Sequence, residues 1–262
     1  EAAKRGKDTS MWLAIESVKN KTSDIILSAG NTGALFVIAK LNLKMINNID
    51  KPALSALWPN KKGMNVVLDL GANIECDAEN LIQFAIMGSA FYRDIYGMET
   101  PSVGLLNVGE DDQKGFDYLR EAAKVLNLEK LDVNYQGFVE GSDITAGSVD
   151  VIVTDGFTGN AALKTAEGVA NLFQQSMRDA FSASLMTKLG YLLARAGFTR
   201  LRAKLDPRNY NGAVFLGLNG ISVKSHGGTD RIGFANAINV ATELVDHGFL
   251  PDVSAAIARA NT

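Results

Sequence analysis

Only one of the 262 residues is a cysteine, and only two are histidines. A single cysteine excludes an internal disulfide and fits a reducing compartment. So few thiol and imidazole groups also exclude an ordinary zinc site. A transmembrane helix needs about 18 consecutive apolar residues, and no apolar run in this chain is that long. The sequence also shows no signal peptide at its start. We therefore predict a cytoplasmic protein that uses no metal and no other cofactor.

The sequence also lacks the motifs of common nucleotide and hydrolase sites. It contains no G-x-G-x-x-G after a strand, no G-x-x-x-x-G-K-[ST] and no G-x-S-x-G. The net charge is -3, whereas nucleic-acid-binding proteins are usually basic. Proline-rich linkers, low-complexity segments and repeats are absent, so we predict one domain over residues 1–262 that does not bind nucleic acid.

Short β-branched runs alternate with helical segments along the chain, which is typical of a mainly parallel sheet flanked by helices. Hydrophobic residues make up 47% of the sequence, enough for a sizeable core at this length. The sequence therefore predicts the α/β class. The predicted strands are 24–28, 65–69, 102–108, 133–139, 149–153 and 220–224, and 51–59 is interpreted as a loop or an edge strand.

The stretch from Val149 to Lys164, VDVIVTDGFTGNAALK, joins a buried strand to a long helix. Free backbone N–H groups and the positive end of the helix favour an anion at such a junction. An ordinary turn, with glycine for its conformation and Asn160 as the helix cap, accounts for the same residues.

Three other loops repeat this strand–glycine–helix pattern, at 29–33, 69–73 and 107–115. The loops at the carboxyl ends of parallel strands gather on one edge of a sheet. We therefore expect these loops and 155–160 to line one cleft that binds an anionic, phosphate-bearing ligand, with Lys114 facing it.

Histidine and cysteine, the two rare residue types of this chain, are the first candidates for chemistry. His226 lies between Ser225 and Gly227 at a predicted strand-to-helix turn, where it could bind an anion or act as an acid or base. His247 lies near a helix end, where capping explains it. Cys76 has no histidine near it in sequence, so a buried structural thiol is the better interpretation.

Between Phe181 and Lys204 the chain contains five basic residues and no acidic one, interleaved with large apolar side chains. Gly190 and Gly197 interrupt this segment, which predicts a bent helix or a helical hairpin within 178–208. A helix packed on the core or on a dimer partner is one interpretation. The other is a surface that meets an anionic membrane or an acidic protein, through Lys188, Leu192, Leu193, Arg195, Phe198, Arg200, Arg202 and Lys204.

Several long motifs, in this order, resemble the phosphate acyltransferases of bacterial phospholipid synthesis: SAGNTGAL (28–35), LDLGAN (68–73), VGLLNVGEDDQKG (103–115), VTDGFTGNAALKTAEG (153–168) and LGLNGISVKSHGGTD (216–230). The Asp-Gly-Phe-Thr-Gly-Asn and Ser-His-Gly segments are more distantly similar to phosphotransacetylase. The resemblance implies a homodimer with an isocitrate/isopropylmalate-dehydrogenase-like architecture. From its composition, we expect the helical segment at 178–208 to protrude from this body. It also implies that a first strand and Gly-rich loop of the family precede Glu1.

The activity that the resemblance implies is transfer of a long-chain acyl group from acyl carrier protein (ACP) to inorganic phosphate, which supplies acyl phosphate for glycerol-3-phosphate acylation. The hypothesis gives His226, Asp155 and Asn160 catalytic roles. It places phosphate or substrate against Ser28, Gly30, Asn31, Thr32, Gly33, Asn73, Asn107, Lys114, Thr158, Gly159, Lys164, Lys224 and Ser225. Peripheral membrane association would deliver the product. Two rivals stay open: a phosphotransacetylase-like enzyme that uses short-chain acyl-CoA, and a non-catalytic scaffold that binds membrane or ACP.

Overall fold

The structure is a computed structural model that describes residues 6–128, 131–204 and 206–260, apart from the side chains of Arg202 and Lys204. An eight-stranded mixed sheet forms its centre, in the order β1-β8-β7-β2-β3-β6-β4-β5. The strands are β1 (Ile25–Ser28), β2 (Ala53–Pro59), β3 (Met64–Leu68), β4 (Ser102–Leu106), β5 (Asn134–Val139), β6 (Val151–Val153), β7 (Ala213–Leu216) and β8 (Ile221–Lys224).

Helices lie on both faces of this sheet. They are α1 (Ser10–Lys19), α2 (Thr32–Leu43), α3 (Ala78–Tyr96), α4 (Asp117–Leu126), α5 (Gly141–Ala146), α6 (Gly156–Ser182), α7 (Leu185–Lys204), α8 (Arg231–Asp246) and α9 (Phe249–Ala260), with a short 3-10 turn at Pro207–Tyr210. The α/β class predicted from the alternation of strands and helices is confirmed.

Successive residues of a strand point to opposite faces, so the sheet carries a core on each side. Val66 and Leu68 of β3 belong to a core that α3, α4 and α9 cover. Val67 belongs to the other core, to which α1, α2 and α5 contribute. The sheet is therefore buried on both faces, which explains its near-continuous apolar strands.

Strand direction divides the sheet into two parts. The strands β3, β4, β5 and β6 are mutually parallel, and β1 is parallel to β8. Between these two parts, β2 is antiparallel to both β3 and β7, and β7 is antiparallel to β8. The β1–β8 pair therefore runs opposite to the four-strand part.

The interpretation of 51–59 as a loop or an edge strand is wrong, because β2 lies inside the sheet with a strand on each side. Its buried residues Ala53, Leu54 and Ser55 pair with β7, a strand that the sequence did not indicate. Pro59, which cannot donate to a ladder, is the last residue of β2 beside the turn into β3.

The helical segment predicted within 178–208 is a hairpin, as one of the two alternatives predicted. Its turn lies at 183–184 and not at Gly190 or Gly197, which both lie inside the continuous helix α7. Ser184 caps α7, because its backbone N–H and hydroxyl exchange hydrogen bonds with Thr187 at 3.0 and 3.1 Å. Most side chains of the hairpin are exposed. No helix in the described part of the chain combines the length and apolarity that crossing a bilayer requires.

Candidate functional site

The candidate loops fall into two groups. Because the strands that precede them run in opposite directions, the two groups lie at opposite ends of the strands. Loops 69–73, 107–115 and 155–160 follow β3, β4 and β6, which are parallel. Loop 29–33 and the turn at 225–230 follow β1 and β8, which run the other way. The mainly parallel sheet led us to expect that four loops line one cleft, and this is wrong for loop 29–33, because β1 runs opposite to the strands that precede the other three loops. The interior strand β2 is antiparallel to its neighbours, and beyond it β8 and β1 run opposite to β3.

The first group is built around the carboxylate of Asp69, which is fully buried at the end of β3. It accepts the backbone N–H groups of Leu54, Gly71, Ala72 and Asn73 at 2.7–3.1 Å, and the Asn73 side-chain amide at 2.8 Å. Burial raises the pKa of Asp69 above its ordinary value, although these donors act in the opposite direction. The Asp69 carboxylate thus fixes the conformation of loop 69–73 by accepting hydrogen bonds from within it.

The start of α6 presses against this loop, and only glycine fits the contact. A Cβ atom on Gly159 would lie 1.9 Å from the Asp69 carbonyl oxygen, and one on Gly156 would lie 2.3 Å from that of Asn73. The Gly156 N–H donates to the same Asn73 oxygen at 2.8 Å. The glycines of this turn therefore allow backbone to approach backbone.

Asp155, and not Asn160, is the N-cap of α6, so the expected capping role of Asn160 is wrong. Its carboxylate accepts the backbone N–H and the hydroxyl of Thr158, both at 2.8 Å, and the Tyr118 hydroxyl at 3.4 Å. Three of the first N–H groups of α6 thus already have acceptors: that of Gly156 on Asn73, and those of Thr158 and Gly159 on Asp155. Because an anionic carboxylate occupies this helix end, a second anion is disfavoured there. Asn160 itself is exposed, and its side chain lies beside Gly71, where a Cβ atom would be 3.3 Å from the Asn160 Cβ atom.

The remaining predicted contacts of the first group hold their own loops together. Asn73 donates to Pro52 as well as to Asp69. Asn107 is buried and bonds to the Lys114 carbonyl at 3.1 Å and to the Val108 N–H at 2.8 Å. Lys114 pairs with Asp111 at 2.8 Å, and Lys164 pairs with Glu167 at the same distance. Their roles in phosphate binding stay predictions.

In the second group, the end of β1 and the turn after β8 are joined by hydrogen bonds. The Ser225 N–H donates to the Ser28 carbonyl at 2.9 Å, and the Ser28 hydroxyl accepts the Gly30 N–H at 3.1 Å. Asn31 caps α2 by accepting the Ala34 N–H at 2.9 Å. This cap is neutral. The helix begins at Thr32 and Gly33 with backbone N–H groups that have no intrahelical acceptor, and its first turn contains no acidic residue.

His226 is exposed in this group, and its tautomer follows from its hydrogen bond. Its Nδ1 accepts the Gly228 N–H at 3.1 Å, so Nε2 carries the proton of the neutral imidazole. The Lys224 ammonium, at the end of β8, donates to the Ser225 carbonyl, and burial lowers the pKa of Lys224. At the carboxyl ends of β1 and β8 the second group thus offers an N–H donor from His226 and a positive charge from Lys224.

The sequence did not indicate two groups that shape these turns. Asn211 contacts both Ser225 and His226, and only its place before Gly212 could have suggested a turn. Asp230 caps α8 and pairs with Arg208 at 2.7 Å. Within the described residues, no three His, Cys, Asp or Glu side chains are placed together to hold a metal ion.

Known proteins are similar to this chain over nearly its whole length. Residues 1–251 match a family model described as a fatty acid synthesis protein. A phosphate acyltransferase from Rhodospirillum centenum is 55% identical over 258 residues, which covers 98% of this chain and 73% of that protein. One from Pelagibacter ubique is 56% identical over 246 residues, covering 94% and 74%.

Among solved structures, a phosphotransacetylase from Streptococcus pyogenes is similar with a TM-score of 0.58 at 17% identity, covering 90% of this chain and 67% of that one. The EutD phosphotransacetylase from Staphylococcus aureus gives a TM-score of 0.55 at 17% identity, covering 89% and 66%. At such low identity these structures establish the shared α/β fold and nothing about the substrate.

Proposed function

Because this chain belongs to the phosphate acyltransferase family, and is therefore an acyltransferase with phosphate as acceptor, we propose that it takes a long-chain fatty acyl group from ACP. The product would be an acyl phosphate that serves glycerol-3-phosphate acylation in phospholipid synthesis. The match of nearly the whole chain to relatives named phosphate acyltransferases carries the proposal, and the fatty-acid-synthesis family model supports a fatty acyl donor.

The reaction needs no nucleophile from the protein. A phosphate oxygen attacks the thioester carbonyl carbon and forms a C–O bond, and the C–S bond then breaks. The departing thiolate takes a proton and leaves as the free thiol of ACP. Phosphate is already anionic, so holding it against the carbonyl matters more than activating it.

We assign phosphate to the second group. The N–H groups of Thr32 and Gly33 at the start of α2 and the Nε2–H of His226 are donors, and Lys224 adds positive charge. The first turn of α6 is the weaker candidate, because Asp155 already places a carboxylate there. The phosphate would be enclosed by the hydrogen-bonded turns that contain Gly30, Ser28 and Ser225. His226 could also protonate the thiolate.

The first group would then act on the acyl donor. The exposed Asn160 amide can donate to the thioester carbonyl oxygen, and Asp155 holds the turn that carries Asn160 through its bonds to Thr158. Gly159 lets this turn approach Asp69 closely, and Lys164 lies one helical turn further on. This assignment requires substrate to reach both groups, either across the twisted sheet or between the subunits of a homodimer.

The assignment is tested by His226→Ala, assayed for thiol release from palmitoyl-ACP with phosphate. Loss of one donor that acts in the transition state should lower turnover about a hundredfold. His247→Ala is the matched control, because His247 is the C-cap of α8, at the opposite end of that helix from the His226 turn. Turnover at the wild-type level in His226→Ala would remove His226 from the mechanism.

One rival is a phosphotransacetylase-like enzyme, a short-chain acyl-CoA:phosphate transferase. Comparing palmitoyl-ACP with acetyl-CoA in the same assay separates the two donors. Absence of turnover with either donor would favour the non-catalytic scaffold.

We also propose that the α6–α7 hairpin brings the enzyme to an anionic membrane. Leu185 and Met186 at its turn and Leu193 on α7 are 84%, 77% and 81% exposed. Lys188, Arg195 and Arg200 lie on the same helix among them, while the side chains of Arg202 and Lys204 lie outside the described part of the chain. Exposed apolar side chains between cations are typical of a surface that binds anionic lipid, although acidic ACP is a competing partner.

A further inference from the structure

The Asn211 side chain holds the turn that contains His226 from both sides. Its Oδ1 accepts the backbone N–H of His226 at 2.8 Å. Its Nδ2 donates to the Ser225 hydroxyl at 2.8 Å and to the Gly233 carbonyl in the first turn of α8 at 2.7 Å. One amide thus joins the end of β8, the His226 turn and the start of α8.

We propose that Asn211 is a positioning residue, which fixes the Ser225–His226 turn so that His226 presents Nε2–H to the phosphate. The inference rests on the proposed role of His226 and adds the group that sets its direction. Asn211 need not touch the substrate, because it acts through the backbone of His226.

Asn211 is itself held firmly. The next residue, Gly212, has a φ of +125° and lies so close to α8 that a Cβ atom would be 3.1 Å from the Ala237 Cα atom. A residue with a side chain would be strained and crowded there, so glycine lets the chain pass against α8. The Ser225 hydroxyl that Asn211 bonds is completely buried. The amide therefore has little freedom, as a positioning group requires.

The chemistry of the amide explains why asparagine suits this place. The turn needs an acceptor for the His226 N–H and donors for Ser225 and Gly233, and an amide supplies both. Aspartate keeps the acceptor but loses the donors, and alanine loses all three bonds. With the backbone of His226 fixed, the Gly228 N–H can meet Nδ1 and leave the proton on Nε2.

The first test is a double-mutant cycle on turnover of palmitoyl-ACP with phosphate. Asn211→Ala should lower kcat at least tenfold in the wild type and change nothing further in His226→Ala, because the two residues act as one unit. Losses that simply multiply would overturn the proposal. Asn219→Ala is the matched control. The Asn219 amide also donates to a backbone carbonyl, that of Met45, but it lies in the β7–β8 turn and not in the turn of His226.

The second test does not depend on turnover. With only two histidines in the chain, ¹⁵N-labelled imidazoles can be resolved by NMR, and His247 serves as the internal reference. At alkaline pH the wild type should show His226 as the Nε2–H tautomer, and both Asn211→Ala and Asn211→Asp should show a mixture. Asn211→Asp guards against a failure of Asn211→Ala to fold, because it keeps the bond to the His226 N–H. It loses the Nδ2 bonds to Ser225 and Gly233 that anchor the side chain, so the turn is held from one side only.

The two tests fail separately. An unchanged His226 tautomer in a folded Asn211 variant would overturn the positioning role whatever the enzyme does. A wild-type protein that shows the expected tautomer but does not transfer acyl groups to phosphate would overturn the proposed function alone.

Discussion

Cys76 illustrates at the residue scale how surroundings decide reactivity. It is half-buried behind Asn73, and its thiol lies 3.9 Å from the Asn73 carbonyl oxygen. Burial first, and then the charge of Asp69, raises the pKa of Cys76 to about 11. The thiol is therefore protonated at neutral pH and is a poor nucleophile.

We predict that Cys76→Ser keeps most of the acyltransferase activity, because phosphate attacks the thioester directly. The measurement is the rate of thiol release from acyl-ACP by the variant and the wild type. Isolation of a stable acyl thioester on Cys76 after incubation with acyl-ACP alone would contradict direct attack.

At the scale of the element, the hairpin separates side chains that the sequence could not tell apart. Phe198 was expected to meet membrane or ACP beside Leu192 and Leu193. Instead, its ring lies 4.9 Å from that of Phe181 and 5.4 Å from that of Tyr191, between the two helices. Phe198 therefore holds α7 against α6, whereas Leu193 points to solvent.

We predict that replacing Leu185, Met186 and Leu193 with Gln abolishes flotation of the protein on anionic vesicles and leaves turnover of acyl-ACP in solution nearly intact. These side chains supply the exposed apolar surface, and each nearby cation adds about 1 kcal/mol that salt should screen. Flotation is measured at low and high salt.

The matched control replaces Val169, Leu172 and Phe173 with Gln, because these exposed apolar residues lie on α6 far from the hairpin turn. If the turn variant still floats, the membrane proposal fails. If its turnover falls with flotation, the segment is an ACP dock.

At the scale of the whole molecule, two carboxyl groups face each other where α3 and α9 pack together. Burial, and then the charge of Asp252, raises the pKa of Asp94 from its ordinary 3.8 to about 6. The folded protein therefore holds a proton on Asp94 more tightly than the unfolded chain does. The stabilisation is fully present below about pH 4 and is lost as pH rises through about 6.

We predict that Asp94→Asn stabilises the protein at pH 8 and has little effect at pH 4, since the amide cannot ionise. Asp94 is partly exposed, so solvent screening limits the gain to about 1 kcal/mol. Urea unfolding of the variant and the wild type at both pH values measures it. Asp50→Asn, at an exposed aspartate, is the control. An equal gain at both pH values would show that ionisation is not the cause.

Much of this protein was determined by its sequence alone. The α/β class follows from local periodicity, and the sequence motifs identify the family. The hairpin was one of two alternatives inferred from Gly190 and Gly197, although neither glycine forms its turn. Local patterns suffice for these features because a strand, a helix and a helix N-terminus are each specified within a few residues. Gly156 and Gly159 could be read as a tight turn for the same reason.

Only the tertiary structure decided which loops come together. Strand direction depends on pairing between distant segments, and one antiparallel interior strand, β2, turns the His226 group to the edge opposite Asp155. Two further contacts are likewise not predictable from a local pattern. One is the Asp155 N-cap, which disfavours phosphate at α6, and the other is the bond from the His226 N–H to the Asn211 side chain. Both arise because folding brings side chains from separate segments within hydrogen-bonding distance.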